Sequence, residues 1–186
     1  MNKKNLLIIT GLVLLATSWR IINHSYGLAP NLELVTVISV MAALTIGWQA
    51  AVIAPLATMA LSDAVIGTSP IILVTWSCFG LIGSLAMLLR RFSRQPGRQL
   101  IASVGFAFMS STLFYLVTNF GVWLFDFNLY YPGTLAGLGS CLAMGIPFYR
   151  TMLIGNLLIV PTAVGLWQLA RLYLASRHKA SMRSID

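Results

Sequence analysis

The stretch NFGVWLFDFNLYYPGTLAGLGSCLAMGIPFYRTMLIGN, Asn119 to Asn156, decides how this chain is read. It lies between two strongly apolar segments yet carries Asp126, Cys141 and Arg150 among many aromatic rings and glycines. A plain connecting loop has no need of so many rings. A plain membrane helix poorly accommodates Asp126, Pro132, Gly133 and Pro147 so close together. The expectation is a folded outer cap over residues 120–146, held above a cavity by the helices on either side, with polar groups aimed at a ligand.

Composition sets the class. Hydrophobic residues make up 58% of the 186 and charged ones 9%, against roughly a quarter charged in a soluble domain. Several apolar runs approach the roughly 20 residues that cross a bilayer as helix. The reading is an all-α membrane protein, a single transmembrane domain of six helices, with spans at about 5–19, 32–46, 50–65, 70–89, 100–119 and 147–174. The N-terminal MNKKNLLIITGLVLLATSWR resembles a signal peptide but has no convincing cleavage site, and is read as a retained first helix. Pro55 is expected to kink the third span, and Pro147 to open the sixth as a first-turn proline. The tail from Ser176, SRHKASMRSID, is expected to fray.

The net charge of +8 raises the question of nucleic acid, but its placement at helix ends answers it. With both termini inside, Lys3, Lys4, Arg90, Arg91, Arg94, Arg98, Arg171, Arg177, Lys179 and Arg183 fall on the cytoplasmic side, and only Arg20 and Arg150 on the other. That is the positive-inside pattern of an inner-membrane protein in contact with lipid, not with nucleic acid. Two cysteines, Cys78 and Cys141, are too few for a disulfide framework.

The same orientation gathers the remaining ionisable groups at the outer end: Arg20, His24, Glu33, Asp63, Asp126 and Arg150. An outward polar pocket roofed by residues 20–31, 63–70 and 119–150 follows. Glu33, in the first turn of the second span, suits the helix dipole, and three of the others have two readings each. Asp63 is either a cap on the turn after the third span or an acceptor for a ligand amide or hydroxyl. Arg150 either clamps Asp63 or Asp126, or grips a ligand carboxylate or phosphate. His24, beside Tyr26, is either solvated or a hydrogen-bond donor and metal ligand. Cys78, about 12 Å below the outer helix end at 1.5 Å per residue, is either a small buried hydrophobe or a reactive thiol. Tyr115, Phe120, Trp123, Phe125, Phe127, Tyr130 and Tyr131 read as interfacial belt, with some lining the cap. There is no catalytic triad spacing, no phosphate-binding loop and no HExxH.

The segments Ala29-Pro30-Asn31, Leu61-Ser62-Asp63, Val117-Thr118-Asn119-Phe120-Gly121-Val122-Trp123, Tyr131-Pro132-Gly133-Thr134-Leu135-Ala136-Gly137-Leu138 and Ile146-Pro147-Phe148-Tyr149-Arg150 resemble those of small six-helix bacterial membrane proteins. These are related to the S components of energy-coupling-factor (ECF) vitamin transporters. Within that group the chain is most similar to the solitary, BtuM-type cobalamin transporters, through Cys78 in Thr75-Trp76-Ser77-Cys78-Phe79 together with His24, Asp63 and Arg150. The resemblance implies uptake of cobalamin (vitamin B12) or a related corrinoid. Cys78 sulfur would meet the corrinoid's cobalt, a soft donor for a transition metal. His24, Tyr26, Asp63, Asn119, Tyr131 and Arg150 would contact the ligand or close the cap. Sulfur ligation could also displace a cyanide from the cobalt, the one hint of enzyme-like chemistry. Helix 1 lacks the small residues four apart that dock S components on a shared ECF module. A protein working without that module is the implied arrangement. The alternatives are an S-component-like transporter of another small molecule, or a scaffold whose outer charges satisfy one another over no cavity.

Overall fold

The computed structural model describes the backbone of residues 3–92, 94–126 and 128–183, with side chains up to Arg177. The described chain is helical: α1 Lys3–Tyr26, α2 Val35–Thr45, α3 Trp48–Ile66, α4 Ile72–Ala86 continued by a 3-10 segment Met87–Phe92, α5 Pro96–Phe125 and α6 Leu135–Arg183. Five of these, α4 taken with its 3-10 extension, are long and apolar enough to cross a membrane. Their outward faces carry exposed leucines and isoleucines such as Leu7, Leu73, Ile101 and Leu158, a surface suited to lipid.

The second helix departs from the expected span. At 11 residues it rises only about 16 Å. Every residue from Val35 to Leu44 except Met41 is buried, because α1, α3, α4 and α6 all pack around it. A helix this apolar belongs in a core, and its hydroxyls Thr36, Ser39 and Thr45 are hydrogen-bonded within the chain. It is short because Gly47, at φ 142°, turns the chain at one end. At the other, Asn31, at φ 60°, turns the segment that leads into it.

Contacts along the helices give alternating directions. Asn5 Nδ2 donates to the Thr45 carbonyl at 3.1 Å, joining the start of α1 to the end of α2. Gln99 Nε2 donates to the Leu89 carbonyl at 3.0 Å, and Gln168 Nε2 donates to Gln99 Oε1 at 2.9 Å. These pairs, with Arg90 against Gly47, mark one end of the bundle. Arg20 on Asp63 marks the opposite end. The second half of α6 thus returns to the end where α1 begins.

The quoted stretch is mostly helix. α5 runs on to Phe125 and α6 starts at Leu135, so the expected cap of 120–146 shrinks to the turn 126–134. Asp126 Oδ2 accepts the backbone N–H groups of Tyr130 and Tyr131, both at 2.7 Å. The Gly133 N–H donates to Asn128 Oδ1, and Trp123 Nε1 donates to the Pro132 carbonyl at 3.0 Å. Thr134 Oγ1 accepts the Gly137 N–H at 3.2 Å, the bond of an N-cap. That cap starts α6 twelve residues ahead of Pro147, which lies inside the helix with Pro161. Neighbouring helices make such interior prolines tolerable in a membrane bundle. The tail is helical as far as Arg183; residues 184–186, like Phe127, lie outside the described residues.

Candidate functional site

Helix α1 extends two turns beyond its expected end, and this builds the site. Residues 20–26 are helix, not loop, so Arg20, Asn23 and His24 share one face with Gly27, at the i, i+3, i+4 and i+7 spacing. All four line a cavity of about 370 Å³. Across from them stand Pro30, Asn31 and Glu33, with Phe114 of α5 and Met152 of α6. The segment between α1 and α2 is pinned by Asn23. Its Nδ2 donates to the carbonyls of Ala29 at 2.8 Å and Leu32 at 3.1 Å, and its Oδ1 accepts the Ala29 N–H at 2.8 Å. Trp19 Nε1 adds a bond to the Leu32 carbonyl at 2.8 Å.

Glu33 is the residue that the sequence places at the outer end only as a favourable charge at a helix start. It stands two residues before α2 and is 8% exposed. Thr36 Oγ1 donates to Glu33 Oε1 at 3.3 Å, and Asn156 Nδ2 reaches both Thr36 Oγ1 at 3.4 Å and Ser111 Oγ at 3.0 Å. A polar chain thus runs from the cavity into the bundle through α2, α6 and α5. Burial pushes the Glu33 carboxyl up to about 8, against the pull of the Arg20 charge and the Thr36 hydrogen bond. The signal in the sequence was its position: an acid two residues before an 11-residue run whose only polar side chains are the hydroxyls of Thr36, Ser39 and Thr45.

Asp63 is buried, and its partners are internal. Arg20 Nη2 donates to Asp63 Oδ1 at 2.7 Å, Arg20 Nε donates to Ser62 Oγ at 2.7 Å, and Trp76 Nε1 donates to Asp63 Oδ2 at 2.8 Å. The clamp expected between Arg150 and an acid is made by Arg20 instead, because α1 reaches far enough to bring Arg20 onto α3. Arg150 lies 15 residues into α6, exposed, with no hydrogen bond or ion pair among the described residues. Asp126 is occupied by its own turn.

A second cavity of about 400 Å³ lies beside the first, under the 126–134 turn. Asn31 and Phe114 line both cavities. Asn119, Tyr131 and Cys141 line the second, with Thr75, Met144 and Phe148. Asn119 Nδ2 donates to the Tyr115 carbonyl at 2.7 Å, and its side chain rests on Gly145, where a Cβ would lie 2.4 Å from Oδ1. Cys141 Sγ donates to the Asn119 carbonyl at 3.3 Å. Tyr26 is 76% exposed at the end of α1 and lines neither cavity.

Cys78 is 2% exposed in the core of the bundle and also lines neither cavity. Its neighbour Phe79 stacks on Phe114 with ring centroids 4.8 Å apart. Cys78 belongs to the buried apolar cluster that also holds Val35, Val37 and Phe79. Among the described residues no three His, Cys, Asp or Glu side chains gather as a metal site. The sequence-expected residues therefore divide: His24 faces the first cavity, Asn119 and Tyr131 the second, and Asp63, Cys78, Tyr26 and Arg150 face neither.

Taken together this is an all-helical bundle with membrane-length apolar helices and a polar cavity at one end. The chain belongs to the family of unknown function DUF6580, whose family model matches residues 1–179. No curated protein and no solved structure matches it.

Proposed function

We propose that this protein captures a small organic solute from the outer side of a bacterial inner membrane and passes it inward, as an S-component-like transporter with both ends in the cytoplasm. One observation carries the reading: the cavity of about 370 Å³ walled by the extended face of α1 and floored by buried Glu33. Its size is in the range of small-molecule sites, and its lining mixes a few convergent polar groups with Phe114 and Met152. A scaffold whose outer charges satisfied one another would have no use for such a void. Native mass spectrometry of the detergent-purified protein tests the reading. Wild type should release a small solute, and His24→Trp, which fills the cavity mouth, should lose it. Equal release from both would overturn it.

A corrinoid cargo is the second reading, favoured by the buried free thiol of Cys78 and by two cavities sharing the Asn31–Phe114 wall. Cobalamin is larger than drug-sized ligands and needs both cavities joined, with the packing around buried Cys78 opened to expose the thiol. Visible absorption of the protein incubated with cobalamin, beside Cys78→Ser, tests it. A shifted band lost in the variant supports cobalt–sulfur ligation. Retention in both keeps the corrinoid and leaves Cys78 as packing, and retention in neither removes the corrinoid.

A further inference from the structure

Glu33 is an acid that the surrounding fold leaves without a charged partner. The basic group nearest in function, Arg20, is committed to Asp63 and Ser62, and Arg20–Asp63 is the only ion pair among the described side chains. Glu33 keeps one neutral hydrogen bond, from Thr36. The other titratable groups around it are His24 on the cavity wall and Cys78 on α4. From α5 and α6 come only neutral groups: Ser111, Phe114, Met152 and Asn156. A carboxylate held out of water in this way needs either a proton or a positive partner. The cavity in front of it holds far more than a bare ion, and Phe114 and Met152 offer an apolar wall for a carbon body.

We propose that the cavity binds a small organic ammonium ion, with Glu33 as its counter-ion. On binding, the O–H bond of the neutral Glu33 carboxyl breaks and its proton leaves to water on the outer side. The carboxylate left behind pairs with the ammonium N–H groups. Charge balances: one cation enters the cavity and one proton leaves it. Thr36 Oγ1, held by the amide of Asn156, remains aimed at the carboxylate and supports it as an anion. The inference rests on the solute-capture reading above and names its substrate class.

Calorimetric titration of the full-length protein in detergent, with cyclohexylammonium and with neutral cyclohexanol as probes, tests this directly. Running each titration in two buffers of different ionisation enthalpy counts the protons released. Cyclohexylammonium should bind saturably and release about one proton near pH 7, with affinity rising as pH rises toward about 9 and the competing proton is lost. Glu33→Gln, which keeps the shape and removes the charge, should weaken it by about tenfold or more and abolish the release. Cyclohexanol should bind at least about tenfold more weakly than the ammonium. Equal binding of the two probes, proton release that survives Glu33→Gln, or no binding of the ammonium would each overturn the cation assignment. Failure of the two readings separates cleanly. A neutral solute released by wild type and lost in His24→Trp would keep capture while discarding the cation. Release unchanged by that cavity-filling variant would remove capture itself.

Discussion

Glu33 and Asp63 are both acids, both about 8% exposed, and sit near the same end of the bundle with opposite consequences. Asp63 accepts hydrogen bonds from a guanidinium and an indole, so both of its oxygens are partnered. Removing Arg20 would strand that charge, a loss of about 3–5 kcal/mol for a buried pair. Glu33 has one hydroxyl donor, so burial favours its neutral form. The sign of the pH dependence follows. Between the ordinary carboxyl range and about 8, the folded protein holds a proton that the unfolded chain has lost, so stability falls as pH rises through that window. Thermal unfolding in detergent should show a midpoint that drops from about pH 5 to about pH 8 in wild type. In Glu33→Gln this component of the slope should vanish. An unchanged slope would mean that Glu33 is ionised in the fold.

At the scale of elements, the α3–α4 contact shows how a proline and a glycine act as one device. Pro55 has no N–H to give the Ala51 carbonyl one turn earlier. That carbonyl oxygen is the atom a Cβ on Gly83 of α4 would meet, at 2.1 Å. The oxygen left free by Pro55 thus faces a bare Cα–H, a geometry that supports a weak C–H···O contact and the close helix approach that small residues allow in membranes. Gly83→Val should push α4 off α3 and lower stability by about 1–3 kcal/mol, measured by denaturation in detergent. Gly80, on the same helix, has open space where a Cβ would stand, and should accept alanine with little loss. α6 offers the complementary lesson. Thr134 at the helix start outranks Pro147 as a boundary signal, because a side-chain cap satisfies orphan N–H groups while a proline inside a packed bundle is merely tolerated.

For the whole molecule, the helices alternate in direction around one short buried core helix, α2. The positive charges predict that the 126–134 turn faces out and the Arg90–Arg98 region faces in. In a Cys78→Ser, Cys141→Ser background, a cysteine at Leu129, 74% exposed, should react with a membrane-impermeant maleimide added to intact cells. A cysteine at Gln95 should react only after permeabilisation. The reverse pattern would invert the molecule and put the Glu33 cavity on the cytoplasmic side.

Composition and hydropathy alone determined that this chain is helical and membrane-like, roughly where its apolar runs lie, and which end gathers the ionisable groups. Those properties are local or additive, so they survive without knowing which residues meet. Tertiary structure decided the rest. It made 20–26 a helical wall, because α1 could continue by packing against α3 and placing Arg20 on Asp63. It enclosed α2 on all sides, which turned Glu33 from a favourable charge at a helix start into a buried acid facing a cavity. It also buried Cys78 in the core of the bundle, on the lining of neither cavity. Burial and pairing are properties of contacts between distant segments, and no window along the chain contains them.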